Sequence, residues 1–549
     1  MTERSILASS AVMAAGTIFS RASGLIRSML LAAALGLGLH ADIFQVANTV
    51  PNMLYILLAG GVFNAVLVPQ LVRAMKNDAD GGASYVDRIM TLAICFLGAV
   101  TILLVVAAPW VMDLLLSNRY DDPALAEQRD SAIDFARFCL PQVFFYGMFV
   151  LVGQVLNARG RFGPMMWAPI ANNVIAVAIL VVYLFVFGAA TTEEQTGPFS
   201  TSQEALLGIG STVGIVAQFL ILLPYLRAAG ISFHPRFDFR DTGLGHTLRL
   251  GAWTLGFVLV NQAAYVVTVR LASGGTAEAA DGTGLTIYSG AMMVVMVPHS
   301  VITVSLATAV LPRLSRLAEA GDHAALARTL TDAIRTALVV MVAFAALLPV
   351  VAEPVAQVVW GRGAAAETYV RAVPALTIFG VAFVFFTLHY LTLRGFYAME
   401  QTRTVFWVQC IIAACNVSVA VVLVGRTAPE QTAAMLVTAY ATAYAVGSMV
   451  SFGLLSRRLG EFRARDHGAY LLRLAACAVV AAGVAWLLSG PVADLRADLP
   501  GADTWWWGGV EAAALGGVGL VAFVAVAKLV ALRELTVVLD GVTARLRRG

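Results

Sequence analysis

The sequence predicts an all-α, polytopic membrane protein of about fourteen transmembrane helices. They form two six-helix bundles related by pseudo-two-fold symmetry, with two more helices appended. Three observations predict this. The 549 residues are 59% hydrophobic and only 13% charged, against about 25% charged in soluble domains. The apolar residues fall in runs of the roughly 20 residues that cross a bilayer. Basic residues gather in alternate connections, as they do on the cytoplasmic side of membrane proteins.

The first run, 6–38, follows a charged N-terminus as a signal peptide would. It continues past Arg21 to about Leu39 without a clear cleavage site, so it reads as an uncleaved spanning helix. Spans at 45–73, 89–116, 132–157, 164–188 and 205–228 complete a first bundle, 1–230. The polar insert "AAGISFHPRFDFRDTGLGHTLR" contains the cytoplasmic linker, 231–246. Its Arg, Phe and His residues suit either an amphipathic element on the inner membrane surface or a plain connection. Spans at 247–272, 284–312, 331–354, 367–393, 403–425 and 432–456 form a second bundle, 247–460. Two further helices, 470–489 and 507–531, and a short cytoplasmic tail occupy 461–549.

With the N-terminus inside, "RAMKN", "NARGRF" and "SRRLGEFRARDH" fall on the cytoplasmic side, while "TTEEQTGPFSTSQEA" and "GGTAEAADGTG" fall outside. Both termini are therefore expected in the cytoplasm. The net charge of +3 is too small to suggest nucleic acid as a partner. The five cysteines lie in or beside apolar segments and read as small hydrophobes, with neither a disulfide nor a metal expected. No HExxH, P-loop, nucleophile elbow or paired carboxylate occurs, which disfavours an enzyme and leaves no cofactor to expect.

A short internal repeat supports the two bundles. "FNAVLVPQLVRAMKN" aligns with "LATAVLPRLSRLAEA", and the same separation places Arg27 on Arg270. Spans four and ten exit through the similar "NARGRFG" and "TLRGFYAM". Six spans per half give the halves the same orientation, an arrangement that places substrate sites at the interface between repeats.

Arg21, Arg27 and Arg270 are the arginines left within spans, where an ion costs roughly 2.5–3.5 kcal/mol on insertion scales. Snorkelling accounts for Arg21 if it lies near a helix end. Arg27 and Arg270 lie deeper. Ser20, Ser23 and Arg27 share a helical face, among glycines that admit close approach. Guanidinium binds phosphate through a two-pronged fork, so these arginines point to an anionic, phosphate-bearing ligand. Asp42 is either their internal counter-ion or an exposed residue at a helix start. Pro51 and Pro298 interrupt spans two and eight as hinge candidates or as static kinks.

The motifs "FSRASGLIRS", "ADIFQVANTVPNML", "GGVFNAVLVPQL", "NARGRFGPMMWAPIANN", "VPHSVITVSLATAVLPRLSR" and "LRGFYAMEQTRT" together resemble the MurJ/MviN family of lipid II flippases, in the MOP transporter superfamily. The resemblance, closest in character to actinobacterial members, runs through most of the first twelve spans. It implies a V-shaped pair of bundles around a cavity, a groove from the last two helices for a lipid tail, and lipid II, an undecaprenyl-diphosphate-linked muropeptide, as substrate. It places substrate-binding roles on Arg21, Arg27 and Asp42, with Arg270 facing the same cavity and Asn52 among the residues of the site. Membrane lipids and peptidoglycan synthases are the implied partners.

Departures narrow the expectation. Ser28 stands where members often have an acid, Met53-Leu54-Tyr55-Ile56 where many have basic residues, and Met292 and Met293 where many have an arginine. Arg270 would then be a relocated replacement. "YVVTVRLAS" lacks the acid that binds sodium in some members, which argues against sodium coupling by that route and leaves the membrane potential or a cation as the candidate drive. The rival readings are a MOP-type exporter of another polyprenyl-linked glycan or of drugs, and a non-transporting cell-wall scaffold.

Overall fold

The computed structural model describes residues 3–58, 70–71, 74, 80, 82–238, 244–460, 464–498, 501 and 504–535. Among these residues every regular element is helical. Twelve helical segments are long and apolar enough to cross a membrane, from Ala83–Val106 to Trp505–Leu529, and they coincide with the third to fourteenth spans of the sequence. The first span falls on α1, Glu3–Leu35. The second begins in α2, Leu39–Ala47, and α3, Thr49–Ile56, and runs on outside the described residues.

The chain divides into two compact units, Met1–Thr286 and Ile287–Gly549. In the first unit α1 to α3 are followed by α4 (Ala83–Val106), α5 (Ala108–Leu115), α6 (Ala126–Cys139) and α7 (Gln142–Ala158). Then come α8 (Gly163–Val186), α9 (Thr201–Leu220), α10 (Leu222–Ala228) and α11 (Leu244–Glu278). Its core joins Ile89 and Leu97 of α4 to Phe149, Val152 and Leu156 of α7. Gly147 makes that packing possible, because a Cβ there would collide with Leu97. The sequence assigns the seventh span to the second bundle, whereas α11 belongs to the first unit. The reason is a set of polar contacts from Gln262, Arg270, Ser273 and Thr276 of α11 to residues 42–118.

The second unit contains most of α12 (Leu285–His299) and then α13 (Ser305–Glu319), α14 (His323–Trp360) and α15 (Val373–Ala398). It continues with α16 (Thr402–Val424), α17 (Thr432–Leu459), α18 (Ala464–Ala497) and α19 (Trp505–Leu529). Helix α15 is central: Phe379 and Phe383 are fully buried, with Tyr440 of α17 packed edge-on against Phe379 at 5.7 Å. The last two helices are held to α14 by polar groups at both ends. Arg496 bridges Glu511 at 2.7 Å and donates to Gln357, while Tyr470 donates to the Arg335 carbonyl at 2.8 Å.

Each hinge candidate sits beside a break. Helices α2 and α3 part at Asn48, and Pro51 lies in the first turn of α3, where its missing N–H removes no helical bond. Pro298 immediately precedes His299 and a π-helical turn, Ser300–Val304. The wider π turn locally loosens the ladder.

The described part of the linker, residues 231–238, has no regular secondary structure. It is pinned to α4, with the His234 N–H donating to Asp87 at 3.1 Å and the Arg236 N–H to Thr91 Oγ1 at 2.9 Å. Arg88 pairs with Asp238 at 2.8 Å.

Candidate substrate site

Helix α1 carries Arg21 and Arg27. Asn173 of α8 donates to the Ser20 carbonyl at 3.0 Å and to Ser23 Oγ at 2.9 Å, and Ser23 itself donates to the Ser20 carbonyl at 3.0 Å. The serine stripe is thus occupied by α8. One turn further on, Arg27 is half-buried. Arg21 is exposed. Among the described residues neither guanidinium has a hydrogen-bonding or ionic partner.

Polar and aromatic side chains of the same unit pair with one another around the α2–α3 break. Tyr146 of α7 packs on Tyr55 of α3 with ring centroids 4.9 Å apart. Gln142 donates to Asn48 Oδ1 at 3.2 Å across the α2–α3 break, and Thr49 donates to the Gln45 carbonyl at 2.8 Å. Gln262 of α11 donates to the Met53 carbonyl at 2.6 Å. Asn52, between these groups in sequence, is exposed. Tyr55, Tyr146 and Gln142 did not emerge as site residues from the sequence, because aromatic and amide groups in an apolar run read equally well as ordinary packing.

Asp42 follows neither reading offered by the sequence: it is neither exposed nor paired with an arginine. Its carboxylate is fully buried and accepts from Thr276 Oγ1 at 2.9 Å, the Leu285 N–H at 3.0 Å and the Thr286 N–H at 2.7 Å. It therefore caps the N-terminus of α12, where unpaired N–H groups and the positive end of the helix dipole stabilise an anion. Gly284 is required beside it, since a Cβ would overlap the carboxylate.

Arg270 also has defined partners. Its Nη1 donates to the carbonyls of Asp113 at 2.6 Å and Leu114 at 3.1 Å, at the C-terminal end of α5, and its Nη2 to Asn118. Ser273, one turn away, accepts from the Ser117 N–H at 2.9 Å. The structure therefore separates the three intramembrane arginines into two kinds. Arg21 and Arg27 have uncommitted N–H groups, while Arg270 is bound to a helix terminus.

Long apolar helices in two units, with uncommitted guanidinium on one helix and hinge-like breaks in others, define a multi-pass α-helical membrane protein of the transporter kind. The fold has solved counterparts. A solved structure described as lipid II flippase MurJ in an inward closed conformation superposes with a TM-score of 0.71 at 17% identity, covering 95% of this chain and 99% of that one. An inward-facing multidrug-resistance MATE transporter of the MOP superfamily gives 0.59 at 16% identity, covering 80% and 94%. The probable lipid II flippase MurJ of Haemophilus influenzae is 26% identical over 400 residues, 71% of this chain and 75% of that protein. The lipid II flippase MurJ family profile matches residues 31–494. The chain belongs to that family.

Proposed function

We propose that this chain moves lipid II, the undecaprenyl-diphosphate-linked peptidoglycan precursor, from the inner to the outer leaflet of the bacterial cytoplasmic membrane by alternating access. Family membership supports the substrate. The observation that carries the mechanism is that Arg21 and Arg27 lie within a predominantly apolar spanning helix, with no hydrogen-bonding or ionic partner among the described residues. Their N–H groups take over the solvation of the diphosphate as its headgroup leaves water. Asn52 supplies a neutral donor on the same unit. Arg270 joins the site only if it releases α5, and Asp42 acts through α12 rather than by touching the substrate.

Both termini lie in the cytoplasm in this reading, and transport, not bond breaking, is the activity. The membrane potential supplies drive: a diphosphate with about two negative charges gains roughly 4–5 kcal/mol per 100 mV when moved outward. Peptidoglycan synthases are partners that would draw product from the outer leaflet.

The test is outer-leaflet lipid II in cells depleted of their own flippase and expressing this chain or its Arg27→Ala variant at equal levels. Restoration by the parent and failure of the variant is the expected result. Restoration by both would reduce Arg27 to a structural role. Failure by the parent would favour a different polyprenyl-linked glycan as cargo.

A further inference from the structure

The second unit contains an arginine that the function proposed above leaves unused. Arg394, in the last two turns of α15, is half-buried with its Nε fully enclosed. Its guanidinium carbon lies 4.2 Å from the centroid of Tyr390 and 5.7 Å from that of Tyr397, one turn before and one turn after it. Cation–π contact engages a guanidinium through its faces. The N–H groups lie in the plane and are left over. Among the described residues no acceptor meets them, and neither phenol hydroxyl has a hydrogen-bond partner.

The Tyr390 ring is held from behind. His299 of α12 bonds Thr387 Oγ1 through Nδ1 at 3.0 Å and packs edge-on against Tyr390 at 5.3 Å. That histidine opens onto the π-helical turn Ser300–Val304, a feature frequent at functional sites. An arginine placed only to complement the α15 C-terminus would donate to its last carbonyls, as Arg362 donates to the Val358 carbonyl. Arg394 does not. Arg403, Arg457 and Arg458 are exposed around the same end of α15 and α17 with one exposed acid, Glu400, among them, so the approach carries net positive charge.

We infer that Arg394, flanked by Tyr390 and Tyr397, is a subsite for a glycosyl diphosphate headgroup in the second unit, separate from the arginines of α1. The guanidinium edge takes phosphate oxygens and the two phenols take sugar hydroxyls. The arginine-rich connections put this end of α15 on the cytoplasmic side, so the subsite receives the headgroup before translocation. This inference rests on the lipid II reading for its ligand.

The test uses the full chain in phosphatidylcholine nanodiscs, titrated with heptaprenyl lipid II and with heptaprenyl diphosphate lacking the sugars. Arg394→Gln is expected to weaken both by about ten-fold or more, a loss of 1.4 kcal/mol. The double variant Tyr390→Phe, Tyr397→Phe keeps the rings and is expected to weaken lipid II several-fold while leaving heptaprenyl diphosphate unchanged. Parent affinity in a normally melting Arg394→Gln protein overturns the inference. If that variant does not fold, the phenylalanine pair decides: equal effects on both probes, or none, overturn it. If 30% phosphatidylglycerol, roughly a third of the lipid, competes with lipid II in the parent but not in Arg394→Gln, the subsite holds an ordinary phospholipid headgroup and the inference fails. A parent that binds neither probe removes the lipid II reading itself, whereas a parent that binds with indifferent variants removes only this subsite.

Discussion

Arg27 and Arg270 occupy matching places in the sequence repeat, yet the structure gives them opposite surroundings. Arg270 donates to two carbonyls at the end of α5 and to Asn118. Arg27, half-buried on α1, has no acceptor among the described residues. The difference teaches that a membrane arginine is defined by what its N–H groups already hold. A guanidinium bound to a helix terminus has its desolvation offset within the protein. One without acceptors is solvated by water or by a ligand, and the ligand is the more selective of the two.

The strongest way to break the comparison is on transport. Arg27→Ala is expected to remove outer-leaflet lipid II to background while leaving the melting temperature close to the parent's, because no intramolecular bond is lost. A large drop in melting temperature would show that Arg27 is structural after all. Asp42→Ala comes next, this time on stability. It strips a buried cap of three hydrogen bonds, and about 2–3 kcal/mol of destabilisation is expected from lost charge-assisted bonds. Thermal unfolding in detergent would measure it, and an unchanged midpoint would mean that α12 finds another cap.

Arg270→Gln is milder, with about 1 kcal/mol lost, since charged hydrogen bonds at a partly exposed site are discounted by solvent. Transport should persist at a reduced level. Loss of transport equal to that of Arg27→Ala, with the fold intact, would erase the distinction and return Arg270 to the substrate path. The smallest effect belongs to Asn173→Ala, which removes two neutral bonds from α8 to α1 and should cost about 1 kcal/mol or less. Its use is to sharpen the reading of α1. If transport falls further than stability, the Asn173–Ser23 contact positions Arg27.

The fold was legible because twenty-residue apolar runs admit little besides spanning helices, and ten of the twelve candidate spans lie wholly beyond residue 160 with boundaries near those read from composition. The assignment of α11 was not legible. Its attachment depends on carbonyls of α5, and a main-chain acceptor leaves no mark in the sequence. Asp42 was hidden for a related reason. Its partners, Thr276 and the N–H groups of Leu285 and Thr286, lie more than two hundred residues away, and two of them are backbone. Arg27 could be singled out because the cost of a charge in an apolar run is itself a sequence signal. Arg394 escaped notice because an arginine at the end of a span reads as an ordinary flank.

The linker on α4 has a further consequence. Asp87 and Thr91 are one helical turn apart, about 6 Å along the axis, and two residues of extended chain cover nearly the same distance, about 6.6 Å. Alternate linker N–H groups, at 234 and 236, therefore fall in step with successive turns of the helix. Between them stands Pro235, which has no N–H to offer. The segment reads donor, blank, donor, and a slip by one residue would present the blank to a waiting oxygen. The strap thus carries its own indexing, written in main-chain atoms and one imino acid, so that neighbouring side chains can vary while the thread stays in its notch.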